Sequence, residues 1–307
     1  MIRRLAEFIV NARLGIHNWR PPAEYHSRGF MMLQRDFSAR RPLFGSLGRW
    51  RATTVVALLL SVAATTARAQ EYISGIEWQE PAVVTPSEKC GDASSDAVVL
   101  FEGKNFDAWK GAEEWKIEDG AMVVGKNMIE SKEAFGDCQL HIEWSAPTPP
   151  AGEGQGRGNS GLFFGPYELQ VLDSYKSKTY FDGQAASIYK QRPPMVNAMR
   201  PPGEWNVYDV IWTAPRFKED GALESPAFIT VLHNGVVVQN HFQLEGNTPY
   251  SDPPSYTKHD VKQPIRLQDH GNPVRFRNIW VRETTPAQGK RTREPFRRDG
   301  DKETPVK

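Results

Sequence analysis

Two dipeptides constrain this chain more than any other feature: Asp119-Gly120 and Asn234-Gly235. The first lies between Trp115-Lys116-Ile117-Glu118 and Ala121-Met122-Val123-Val124, the second between the runs 227–233 and 236–239. A two-residue loop of this kind closes a tight antiparallel hairpin, because a type I′ turn needs positive φ at both central positions. Parallel strands would need long crossovers, for which these loops leave no room. The same pattern of short runs and turns recurs along the chain. Cys138, Leu140, Ile142 and Trp144 share one face of a run whose other face carries Gln139, His141 and Glu143. About a dozen short strands, with almost no helical periodicity, predict an all-β fold: an antiparallel β-sandwich or jelly roll. The 25 Gly, 23 Pro and 11% aromatic residues suit such a turn-rich protein.

Charge and targeting set the outer limits. Net charge is +1, from 38 basic and 37 acidic residues, which gives no reason to expect a nucleic-acid partner. Residues 1–69 read as a secretory signal with a long upstream extension, the start lying at Met1 or at Met31 or Met32. Arg49-Trp50-Arg51 precedes the apolar run 52–64, and Ala67-Arg68-Ala69 forms an A-x-A site, so cleavage is expected after Ala69. The mature chain would then be exported, periplasmic or extracellular, with no stable membrane span, since the apolar run is short for a bilayer. A single membrane anchor is the alternative. Residues 70–96 read as an exposed lead-in, 97–284 as one domain and 285–307 as a disordered charged tail. In an oxidising compartment Cys90 and Cys138 are expected to bridge; otherwise they are two unlinked thiols.

The stretch 158–174, GNSGLFFGPYELQVLDS, carries the strongest chemical pattern. Gly165-Pro166 separates two short strands. In the second, Tyr167, Leu169 and Val171 alternate with Glu168 and Gln170, so an apolar face and a polar, carboxylate-bearing face lie back to back. Such a sheet is a natural floor for a small-molecule carbohydrate. The Pro- and Gly-rich loop 147–158 delivers Arg157 and Asn159 to its edge, and Asp173 closes it. Residues 186–190 read as a further strand ending in Lys190.

NSGLFF, YELQVLDS, PPGEWNVYDV, the hairpin around His233-Asn234-Gly235-Val236, and PIRLQDHGNPVRFRNIWVRE together resemble the 3-keto-disaccharide hydrolase domain family (DUF1080), over residues 98–283. The resemblance implies a concanavalin A-like sandwich with sugar on a concave sheet, and cleavage of sugars already oxidised at C3. A 3-keto group acidifies the neighbouring C2 hydrogen, so a base can remove it, the C1 substituent can leave, and water can add back. That route needs a base, a stabiliser for the enolate oxygen and an acid near the leaving oxygen. It does not need the two spaced carboxylates of ordinary glycosidases.

Glu168 is the first candidate base, with Gln170 beside it to bind a hydroxyl. His270, in the turn Gln268-Asp269-His270-Gly271, is a second acid–base candidate, with Asp269 able to orient it only through the turn. Arg157, Lys190, Arg275 and Arg277 are the cations available for an enolate oxygen. Asn159, Asp173 and Gln268 complete the expected substrate contacts, while Glu204 and Asn206 add polar groups on another strand. Trp109 and Trp205 are either sugar platforms or core. Glu130, His141, Glu143, Asp173 and Asp209 are scattered without metal-specific spacing, so the sequence requires no cofactor, although a calcium ion would suit a lectin-like sandwich. The competing readings are a non-catalytic carbohydrate-binding module and a conventional glycosidase using two carboxylates.

Overall fold

The structure is a computed structural model that describes residues 70–306; the signal segment expected over residues 1–69 lies outside the described residues. Both hairpins form as their sequences require. Asp119 and Gly120 adopt φ of 49° and 72°, and Asn234 and Gly235 adopt 53° and 79°. These values are left-handed at both central positions, as a type I′ turn demands. The Asn234 side chain also ties its turn to the next strands: it accepts from the Val207 amide and donates to the Ala198 carbonyl.

Two antiparallel sheets face each other. One has five strands, in the order Tyr167–Val171, Ser160–Phe164, Gln263–Leu267, Ile129–Phe135 and Trp109–Lys110. The other has eight. Its path runs Val236–Gln243, Phe228–His233, Asn206–Thr213, Cys138–Ser145, Arg275–Glu283, Ala121–Val123 and Lys116–Glu118, and Val98–Phe101 also pairs with Arg275–Glu283. The core is the space between them. Cys138, Leu140, Ile142, Trp144, Tyr208 and Val210 enter it from the larger sheet; Leu162, Phe164, Leu169, Val171 and Ile265 enter from the smaller. Each such side chain stabilises the fold by roughly 1.5–3 kcal/mol. Phe164 stacks on Trp212 across the gap, ring centroids 4.9 Å apart. The Tyr208 hydroxyl donates to the Gln170 carbonyl at 2.9 Å, a polar stitch between the sheets. The expected antiparallel β-sandwich is therefore the observed architecture.

Three expectations differ in detail, and a fourth that the sequence left open is resolved. Residues 186–190 are not a strand: Ala186 and Lys190 have φ of 65° and 61°, and only Ile188 makes isolated bridges, to Leu169 and Arg192. Left-handed φ at non-glycine residues breaks a pleat. The stretch beyond 284 is ordered rather than patternless. Gly289–Arg291 pairs with Ile76–Trp78, and Phe296–Asp299 lies between Glu71–Ile73 and Lys302–Pro305. Lead-in and tail thus supply each other's hydrogen bonds, and buried Phe296 gives their sheet an apolar anchor. Cys90 and Cys138 are unlinked: Cys90 is exposed, whereas Cys138 is a core residue whose thiol burial pushes up to about 12. Finally, Trp109 is core, its indole N–H donating to the Leu100 carbonyl at 2.8 Å.

Candidate active site on the smaller sheet

Pairing puts Glu168 opposite Phe163 and Gln170 opposite Gly161. Because Tyr167, Leu169 and Val171 take the core side, Glu168 and Gln170 must project from the other face. That face is walled rather than open. Segment 184–192 docks along the edge strand, the Gln170 amide donating to the Ser187 carbonyl at 2.9 Å and the Tyr189 amide to the Glu168 carbonyl at 3.2 Å. From another side Thr248 accepts the Glu168 amide at 3.0 Å. The result is a cavity of about 590 Å³ with Glu168, Gln170 and Phe163 on its floor, Tyr180, Tyr189 and Tyr250 in its walls, and His270 among its lining.

Glu168 is only 6% exposed. Among the described residues no side chain donates to its carboxyl, and burial raises its pKa to about 8. Gly161 makes room for it: a Cβ there would meet Glu168 Oε1 at 2.6 Å. A carboxyl in this condition exchanges a proton near neutral pH, which an ordinary surface glutamate does not.

Beside it runs a chain of amides. Gln170 Nε2 donates to Asn159 Oδ1 at 2.9 Å, Asn159 Nδ2 to the Gln155 carbonyl at 2.7 Å, and Gln155 Nε2 to the Gly183 carbonyl at 2.8 Å. With a further, longer bond from Asn159 Nδ2 to Gln155 Oε1 at 3.4 Å, these contacts orient the three amides, so the polar atoms facing the cavity are held in place before a ligand arrives.

Asn159, Glu168, Gln170, Gln268 and His270 thus share one cavity. The other expected site residues go elsewhere. Asp269 does not orient His270; its carboxylate accepts from the Asn127 and Gly271 amides, at 3.1 and 2.7 Å. Arg157 and Asp173 pair with each other at 2.7 Å, with Asp173 fully buried, and both also bind the Tyr175 backbone. They anchor the base of the wall and do not line the cavity. Lys190 stands at the wall, its ammonium 3.6 Å from the Tyr180 ring centroid and 5.4 Å from that of Tyr250. Asn206 is fully buried and accepts from the Arg200 amide and from Asn234 Nδ2.

Arg275 and Arg277 belong to the larger sheet. Their neighbours Val274 and Phe276 are buried in the core, so the arginines point away from the smaller sheet and across the sandwich from Glu168. There Arg277 lies over the Trp205 ring, 4.0 Å from its centroid, and bonds Glu143 at 2.6 Å. Glu143 also accepts from Asn278, and His141 bonds Asp209 at 2.6 Å while stacking on Trp280. Burial opposes the charge on His141, but Asp209 and Glu143 outweigh it and raise its pKa to about 9. Burial likewise opposes ionisation of Glu143, yet His141, Asn278 and Arg277 hold its pKa down at about 2. Among the described residues no cluster of three or more His, Cys, Asp or Glu is arranged to hold a metal ion.

Tyr180, Tyr189, Tyr250 and Thr248 are cavity residues that the strand pattern did not reveal. The available signal was compositional: tyrosines recur through segment 175–189, which has no periodicity to bury them in a core.

Comparison with known proteins bears on the fold and the family. A family model described as a 3-keto-alpha-glucoside-1,2-lyase-like domain matches residues 96–282. A 3-keto-disaccharide hydrolase from Bacteroides thetaiotaomicron is 24% identical over 240 residues, covering 60% of this chain and 77% of the relative. A crystal structure of a candidate glycosyl hydrolase from Parabacteroides distasonis is 50% identical and superposes with a TM-score of 0.64, covering 67% of this chain and 93% of that one. The matched residues span more than half of the chain and include the whole sandwich and its cavity, and the chain belongs to the 3-keto-alpha-glucoside-1,2-lyase-like domain family.

Proposed function

We propose that this protein is an exported enzyme that cleaves 3-keto glycosides or disaccharides by elimination across C1 and C2, followed by hydration of the product. One observation carries the reading: a buried carboxyl with no hydrogen-bond donor among the described residues, poised at about 8, faces a cavity flanked by oriented amides. Glu168 as carboxylate takes the C2 proton and becomes the acid. The C2–H electron pair moves toward C3, leaving the negative charge on the C3 oxygen. Collapse of that enolate forms the C1–C2 double bond and breaks the C1–O bond. The departing oxygen takes a proton, a role we assign to His270 in the cavity lining. Water then adds to the double bond to complete net hydrolysis. Gln170, Asn159 and Gln268 hold sugar hydroxyls through this sequence.

Glu168 is the sole Asp or Glu lining this cavity among the described residues, which favours elimination over a two-carboxylate glycosidase. The test is turnover of a 3-keto glycoside and of its unoxidised parent in deuterated water. Cleavage of the keto sugar alone, with deuterium at C2 of the hydrated product, is the expected result. Cleavage of the parent sugar would overturn the elimination route, and binding of the keto sugar without turnover would make the protein a carbohydrate-binding module. The expected site of signal cleavage is checked by N-terminal sequencing of exported protein, which should begin at Gln70.

A further inference from the structure

The wall facing Glu168 carries more chemistry than sugar stacking requires. Tyr180 and Tyr189 both line the cavity, and their hydroxyl oxygens lie 2.7 Å apart. Two phenols own two O–H groups, and their mutual hydrogen bond uses one. The other points to no acceptor among the described residues, so whichever tyrosine is the donor within the pair, one O–H stays available to a ligand. Burial raises the pKa of both phenols, so they remain donors throughout the working range. Behind them Lys190 places its ammonium over the Tyr180 ring and makes no salt bridge among the described residues. The positive charge therefore lies against the ring of one member of the pair, with no carboxylate among the described residues to neutralise it. Lys190 achieves this from a left-handed φ of 61°, in a turn fastened by its own amide to the Asp182 carbonyl at 3.0 Å. Strain of this kind persists where surrounding structure holds it and is common in functional sites.

We infer that the Tyr180–Tyr189 hydroxyl pair, backed by Lys190, is the oxyanion site of this cavity and donates its spare O–H to the C3 oxygen as it becomes an enolate. This deepens the keto-sugar reading and rests on it for the identity of the substrate. No proton leaves the tyrosines: the C2 proton goes to Glu168, and the pair meets the resulting charge with a hydrogen bond that strengthens as the charge develops.

Two measurements test this. The first uses Glu168→Gln, in which a neutral amide imitates the protonated glutamate, and titrates 4-nitrophenolate as a planar oxyanion probe by its visible absorbance. Adding Tyr180→Phe and Tyr189→Phe together should weaken probe binding at least tenfold, with the folded state checked by circular dichroism. The second measures kcat and KM on the 3-keto glycoside. Each single Phe variant leaves one hydroxyl and should lose about fivefold in kcat, whereas the double variant should lose ~10²–10³-fold with little change in KM. Lys190→Met should lower kcat about tenfold, and Lys190→Arg, which keeps the charge but not the shape, should lose less than that. Probe binding unchanged in the double variant would overturn the oxyanion site, as would a kcat within threefold of the parent. Tyrosine-dependent probe binding in a protein that ignores keto sugars would uphold the site and sink the keto-sugar reading, so the two failures are distinguishable.

Discussion

The two outer faces of the sandwich hold similar residues in opposite states. On the larger sheet, His141, Glu143, Asp209, Arg277 and Asn278 satisfy one another at 2.6–3.0 Å in their closest contacts. On the smaller sheet Glu168 stands in a cavity with no donor among the described residues. The electrostatic consequences are opposite in sign. Mutual pairing stabilises the ionised forms, holding His141 up at about 9 and Glu143 down at about 2, while isolation stabilises the neutral form of Glu168. A satisfied charge network has little left to offer a ligand. An unsatisfied carboxyl is costly to the fold and available to chemistry.

The sharpest way to break this contrast is Glu168→Gln. It should lower kcat on the keto substrate by ~10²–10⁴-fold, the range of a lost general base. The same variant should be more stable than wild type near neutral pH. The sign comes from the raised pKa: an unfolded glutamate ionises near 4.5 while folded Glu168 stays protonated until about 8, so wild-type stability falls across that window. The difference should reach a few kcal/mol, on the order of the pKa displacement, and vanish below pH 4. Denaturant titration of both proteins from pH 4 to pH 9 would reveal it; parallel curves would mean that Glu168 is not isolated. In the active enzyme, kcat/KM should rise with pH toward a plateau above about 8 as Glu168 ionises.

Gly161→Ala comes next. Its Cβ would press on Glu168 Oε1 at 2.6 Å and on the Phe163 ring at 2.7 Å, so the carboxyl must move. We expect about a tenfold loss of kcat, since small displacements of a catalytic group are expensive, and about 1–3 kcal/mol of stability. Unchanged kinetics would show that the carboxyl's position is not critical.

Removing the network on the larger sheet should behave in the converse way. His141→Leu should cost about 1–3 kcal/mol, less than a fully buried pair because Asp209 is 38% exposed, with kcat/KM unaltered. The wild-type advantage should be complete below pH 6.5 and fade as pH rises through about 9, where folded His141 loses its proton. Glu143 contributes at the other end: its stabilisation is complete above pH 4.5 and disappears as pH falls toward about 2. A loss of activity in His141→Leu without loss of stability would move function to the wrong face. The smallest expected effect is His270→Ala, about fivefold in kcat and confined to substrates with poor leaving groups, because an exposed residue at the cavity lining competes with water as proton donor.

Legibility in the sequence tracks the range of the interactions. The hairpins at Asp119-Gly120 and Asn234-Gly235 depend on φ preferences of two residues, and the back-to-back faces of Tyr167 to Val171 depend on a period of two, so both could be read directly. The shared face of Glu168 and Gln170 follows from the same period, whereas the position of Asn159 follows from the Pro- and Gly-rich loop that leads into the strand. Arg277 was not readable in this way. Alternation correctly set it opposite Phe276, but only the pairing of Arg275–Glu283 with Cys138–Ser145, a non-local choice, decides which sheet it joins. Tyr180 and Tyr189 escaped because their wall is built from turns and left-handed residues, which carry no period. The tail was misjudged because its strands are short and exposed, and their hydrogen bonds go to the lead-in more than two hundred residues earlier.

That last pairing bears on how the protein can be trimmed. Ile76–Trp78 and Glu71–Ile73 take their ladder partners from Gly289–Arg291 and Phe296–Asp299. Cutting away the charged C-terminal stretch would not tidy the protein. It would strip the covering from two strands near the other end, exposing their unpaired amides and carbonyls as a template for neighbouring molecules. A shortened form lacking residues 285–306 should therefore aggregate more readily than a chain that keeps them, and a form lacking both 70–96 and 285–306 should be better behaved than one lacking either.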